Sequence, residues 1–103
     1  MDVTIAVPPF GDVSWMNLAR ERAIPSGEAQ GVPVIHRHAR DLAQARNHVL
    51  ALVETEWVIF LDADDELEPG YVEAMSRGTA DVRGPIARYV DGHRERIWQP
   101  RVF

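Results

Sequence analysis

Asp62, Asp64, Asp65 and Glu66 put four carboxylates within five residues, directly after the apolar run Trp57 to Leu61. Like charges packed this closely repel unless water or a cation neutralises them. A hard divalent ion, held by one or two carboxylates together with substrate phosphates, is the common solution. The rival reading is a solvated loop whose acids favour the N-terminus of a helix beginning near Pro69. Position favours the metal. A strand apolar at every residue reads as covered on both faces of a parallel sheet, and open α/β sheets bind ligands in the loops beyond the carboxyl ends of such strands. His36, His38 and His48 are weaker candidates: His36 and His38 share a face if a strand runs through them, yet without a fixed partner they read as surface residues near a strand end. Trp15 and Trp57 read as core, and Arg94, Arg96 and Arg101 around Trp98 as a solvated hairpin.

The elements that must position the acidic cluster follow from hydrophobic periodicity. Val3 to Val7 is a β-branched strand stopped by Pro8-Pro9, which cannot donate ladder hydrogen bonds. Asp12 or Ser14 can cap a helix whose apolar residues Trp15, Leu18, Ala19 and Ala23 recur at helical spacing, ending or breaking at Pro25 and Gly27. Val32 to Ile35 reads as a second strand. A second helix starts near Asp41 with Leu42, Ala45, Val49 and Val53 inward. After the Trp57 to Leu61 strand, Pro69 suits a first helical turn, Tyr71, Val72 and Met75 follow at helical spacing, and Gly78 closes that segment. Asp81 to Val90 and Ile97 to Phe103 read as two strands joined through the turn dipeptide Asp91-Gly92. The predicted order is β-α-β-α-β-α-β-β, which favours a mostly parallel sheet flanked by helices.

Composition bounds the rest. The chain has 103 residues, 46% hydrophobic, with a formal net charge of −5 and no cysteine. That predicts one folded domain over residues 1–103, without a disulfide framework or thiolate zinc site, and a cytoplasmic address. The longest apolar run falls far short of the ~20 residues that span a bilayer, so membrane insertion is not expected. All basic residues are Arg, but the acidic balance lacks the electrostatic footprint of nucleic-acid binding. Local phosphate recognition stays open.

Ala45-Arg46-Asn47 at the head of a helix, followed by a strand ending Phe60-Leu61-Asp62-Ala63-Asp64-Asp65-Glu66-Leu67-Glu68-Pro69-Gly70-Tyr71, resembles the nucleotide-sugar half of family two glycosyltransferases. Val7-Pro8-Pro9-Phe10-Gly11 is similar to that family's strand-Pro-Thr-Tyr-Asn stretch, so the resemblance spans about residues 3 to 75. It implies a GT-A-like (Rossmann-like) fold and a nucleotide-diphosphate sugar held through Mn²⁺ or Mg²⁺ at an Asp-x-Asp motif. On that likeness Asp64 is the best metal ligand, Asp62 a ribose or metal contact, and Asp65 a further candidate ligand. Pro8, Phe10 and Arg46 fall in the donor site, with Phe10 where the family places a ring near the base.

The chain departs from the family in two places. It passes from the Val32 strand directly to the Asp41 helix, where the family has a strand ending in Asp-Asp-Gly-Ser whose Asp reads uracil. It also ends before the half that supplies the acceptor site and catalytic base. The chain is therefore expected to be a fragment, or a donor-site module completed by self-association. No catalytic residue is assigned, because Asp81, Asp91 and Glu95 are scattered on or beside the terminal strands. The expected partners are a donor, an unidentified acceptor, and a second copy meeting an apolar edge near Ile97, Trp98, Val102 and Phe103. The alternative function is a non-catalytic binding or structural module. A weaker third is metal-dependent hydrolysis of a nucleotide diphosphate.

Overall fold

The computed structural model describes residues 2–76 together with the strand backbones of 83–89 and 96–102. The observed order is β1 (Val3–Val7), α1 (Val13–Glu21), α2 (Ala23–Glu28), β2 (Val34–His36), α3 (Leu42–Leu50), β3 (Trp57–Phe60), β4 (Asp65–Leu67), α4 (Tyr71–Met75), β5 (Arg83–Tyr89) and β6 (Arg96–Val102). Two elements are additional to the sequence reading. Pro25 and Gly27 do not end a helix but lie inside α2, where Pro25 occupies the first turn and its missing N–H costs nothing. The acidic cluster is not wholly a loop, because its second half forms β4.

The fold is mixed α/β, with a parallel three-stranded sheet of order β2-β1-β3 flanked by helices. β1 is buried at every residue. Its alternation sends Val3, Ile5 and Val7 into the main core beside Met16, Ala19, Ile24, Leu61 and Tyr71. Thr4 and Ala6 face the other side, where α3 packs on β1 through its buried Ala45 and Val49. Thr4 is fully buried, and its hydroxyl meets the Thr55 hydroxyl at 2.7 Å. Thr55 donates in turn to the Trp57 carbonyl at 2.8 Å, so Thr4 must be the donor to Thr55.

β3 is half-buried with an exposed Phe60, not covered on both faces as its composition predicts. Among the described residues it is an edge strand of this sheet, as β2 is, and β1 takes the central place. A second sheet, of order β4-β6-β5, pairs β4 parallel to β6 and β6 antiparallel to β5. The predicted C-terminal strand pair is therefore present as a backbone pairing. Its Asp91-Gly92 turn and Gly78 lie outside the described residues, as do the side chains of the predicted apolar edge and of the Arg-rich tail.

α2 ties the two sheets together. Gly27 lets it approach closely, since a Cβ there would stand 3.3 Å from the Ile5 and Val34 side chains. Polar residues in it and flanking it then hold the end of the acidic cluster and the segment after it. Arg22 pairs with Glu66 at 3.0 Å, the Ser26 hydroxyl accepts from the Leu67 N–H at 3.0 Å, and the Gln30 amide donates to the Glu68 carbonyl at 2.9 Å. Gln30 also accepts from the Val72 N–H at 3.1 Å. That last bond caps α4 from a distance, because its N-cap is Gly70, which has no side chain and sits at φ 81°.

Candidate functional site

The acidic residues are positioned by the way β3 ends. The Leu61 N–H still bonds to the Ala6 carbonyl, and the chain then turns, with the Asp65 N–H bonding to the Asp62 carbonyl at 3.0 Å. This turn brings carboxylate oxygens of Asp62, Asp64 and Asp65 within 4.8 Å of one another. Asp62 is exposed, Asp64 half-buried and Asp65 fully buried at the start of β4. Glu66, the fourth acid of the cluster, is taken up by Arg22.

The turn forms one wall of a cleft of about 280 Å³. Asp62, Ala63 and Asp64 meet Pro8, Pro9 and Phe10 from the loop after β1, with Trp15 from α1 and Leu42 and Arg46 from α3. That loop is held by its neighbour after β2. Phe10 and Ala39 form a parallel bridge, the Gly11 N–H bonds to the Ala39 carbonyl at 3.0 Å, and the Ala39 N–H bonds to the Pro9 carbonyl at 3.2 Å. His38 Nε2 lies 2.7 Å from the Gly11 carbonyl. Asp12 then caps α1 by accepting from the Ser14 N–H at 2.8 Å, and this backbone hydrogen bond holds its carboxyl below the ordinary value. The Arg46 guanidinium stands over the Phe60 ring, 5.6 Å from its centroid.

Pro8, Phe10, Arg46, Asp62 and Asp64, chosen from positions far apart in the chain, thus line one cleft, with Asp65 beside it. The histidines do not join them. His36 is half-buried in β2, His38 serves the loop, and His48 is exposed on α3. Trp15 reverses its expected role: it is 45% exposed and lines the cleft, while Met16 and Ala19 supply the buried face of α1. The signal that could have placed it is the cap combined with the periodicity. With Asp12 as N-cap, Trp15 falls in the first turn, above the loop that leaves β1. Trp57, by contrast, packs against the core. Asp81, Asp91 and Glu95 lie outside the described residues.

A family model described as glycosyl transferase family 2 matches residues 18–101. The chain belongs to this family. Within the family 2 match fall Arg46 and the whole acidic turn, whereas Pro8, Phe10 and Trp15 precede it. The family 2 domain is thereby glycosyltransferase-like, and its cluster of carboxylates is compatible with the divalent metals that family generally uses. No curated protein and no solved structure matches the chain. Among the described residues of the family 2 domain, no helix is long and apolar enough to cross a membrane.

Proposed function

We propose that the cleft binds a nucleotide-diphosphate sugar, and that the chain supplies the donor side of an inverting glycosyl transfer. The observation that carries this reading is the convergence of Asp62, Asp64 and Arg46 on one cleft, with Asp65 close behind. An all-carboxylate donor set suits a hard divalent cation, so Asp62 and Asp64, with Asp65 as a further ligand, would hold Mn²⁺ or Mg²⁺. Such an ion offsets the charge that develops on a leaving diphosphate.

The chain's own residues bind and orient. The forked donors of Arg46 match phosphate oxygens bidentately. Pro8 and Phe10 give the nucleoside an apolar wall, and Asp62 reaches ribose or metal. Acceptor activation needs a base within hydrogen-bond reach of the acceptor hydroxyl. None is assigned, so the isolated chain is expected to bind donor weakly, hydrolyse it slowly, and transfer no detectable sugar. A non-catalytic module would bind without any turnover, and incubation with radiolabelled nucleotide sugars and lysate acceptors separates the two. The cysteine-free composition suits a cytoplasmic setting, and light scattering tests the homodimer.

Asp64→Ala is the decisive variant. It should abolish Mn²⁺-dependent nucleotide binding in calorimetry and leave the melting temperature nearly unchanged, because Asp64 is not part of the core. Unchanged affinity would remove the donor site from this cleft.

A further inference from the structure

Resting on that reading of the cleft, we infer that Phe60 is a positioning residue that keeps the Arg46 guanidinium available to the diphosphate. Arg46 shares its cleft with Asp62 and Asp64, yet among the described residues the one ion pair is Arg22 with Glu66. The recorded contact of the Arg46 guanidinium is the face of the Phe60 ring. An aromatic face attracts a cation through its quadrupole and takes up none of the N–H donors. A carboxylate in the same place would hold the guanidinium equally well but would neutralise it and occupy the fork. The ring therefore fixes the cation and leaves its hydrogen bonds for an anionic ligand.

The backbone explains how the pair meets. Ala6 of β1 is in register with Phe60, and Thr4 with Val58, so Phe60 shares the sheet face on which α3 packs. Phe60 is also the last residue of β3, two before Asp62. Its 39% exposure, unfavourable for an aromatic side chain, goes with a service to the cleft and not to the core.

The test uses the full chain with Mn²⁺ and uridine, guanosine, adenosine and cytidine diphosphates in calorimetry. For the tightest of these, Phe60→Leu should raise Kd about three- to fivefold, roughly 0.7–1.0 kcal/mol at 1.4 kcal/mol per decade. Phe60→Trp should restore binding, because it restores the aromatic face. In an Arg46→Ala background, Phe60→Leu should change nothing further, which a merely structural role would not produce. The Arg46 Nε–H resonance of the unliganded chain should carry a ring-current shift that Phe60→Leu removes and Phe60→Trp retains. If the wild-type chain binds a diphosphate and Phe60→Leu binds it equally, or loses as much with Arg46→Ala as without, only this inference falls. If the wild-type chain binds none of the four, the reading of the cleft falls and takes the inference with it.

Discussion

Replacing Gln30 by Met keeps most of the side-chain volume and removes both ends of the bridge between the segment just past α2 and the start of α4. The wild-type amide donates to the Glu68 carbonyl at 2.9 Å and accepts from the Val72 N–H at 3.1 Å. The two losses differ. The Glu68 carbonyl keeps the Tyr71 N–H at 3.1 Å, whereas Val72 sits in the first turn of α4, where N–H groups have no partner within the helix. These two bonds at about 1 kcal/mol each, with the long 3.4 Å bond from the same amide to the Ser26 carbonyl adding little, set an upper figure of about 2 kcal/mol. Gln30 is half-buried, so water reaches part of the gap, and a loss of about 1–2 kcal/mol is expected. In a chain of this size that lowers the melting temperature by about 5–15 °C. Urea denaturation gives the free energy, and hydrogen exchange at the Val72 amide should quicken relative to the β1 amides. A variant within about 0.5 kcal/mol of wild type, with the Val72 amide still protected, would refute the remote cap.

Two further outcomes follow from buried polar groups. Thr55→Val leaves the fully buried Thr4 hydroxyl without its acceptor and should cost about 1–3 kcal/mol in urea unfolding, with Thr4→Val/Thr55→Val recovering part of the loss. Burial pushes the Tyr71 phenol up to about 12 from an ordinary 10.0. A raised value for a group neutral when protonated gives stability that is full below pH 10.0 and fades as pH rises toward 12, so Tyr71→Phe should flatten the alkaline limb of a stability-against-pH curve.

The local grammar of the chain was readable because each signal had one physical meaning. Val3 to Val7 is β1 to the residue, since a β-branched run followed by two prolines has nowhere else to stop. Asp12 and Asp41 cap the helices that they announce. Tertiary effects were not readable. An all-apolar strand looks the same at the centre of a sheet as at its edge, so β3 was expected to be buried. β4 could not be seen because a three-residue acidic strand exists only through its pairing with β6, thirty-one residues along in the register of Asp65 with Arg96. α2 was hidden because proline and glycine normally break helices; here one sits in a first turn and the other where a side chain would strike Ile5. At the cleft, the acidic turn was legible from residue type and spacing, and Arg46 only through the family resemblance. Trp15 was not, because helical periodicity alone does not say which side of a first turn faces a loop.

The central place of β1 also orders events in time. Ile5 pairs with Val34 on one side and with Ile59 on the other, and both partners come later in the chain. During synthesis the most deeply buried strand of this sheet therefore appears before either flank, gains one neighbour with β2, and keeps an open side until β3 emerges. That open side is an unpaired strand edge, a template on which a wrong strand can pair, so a chain stalled short of Phe60 is exposed to aggregation. The residues that close it are followed at once by Asp62, Asp64 and Asp65. The strand that completes the sheet and the acidic turn are thus adjacent in the chain, so both emerge together.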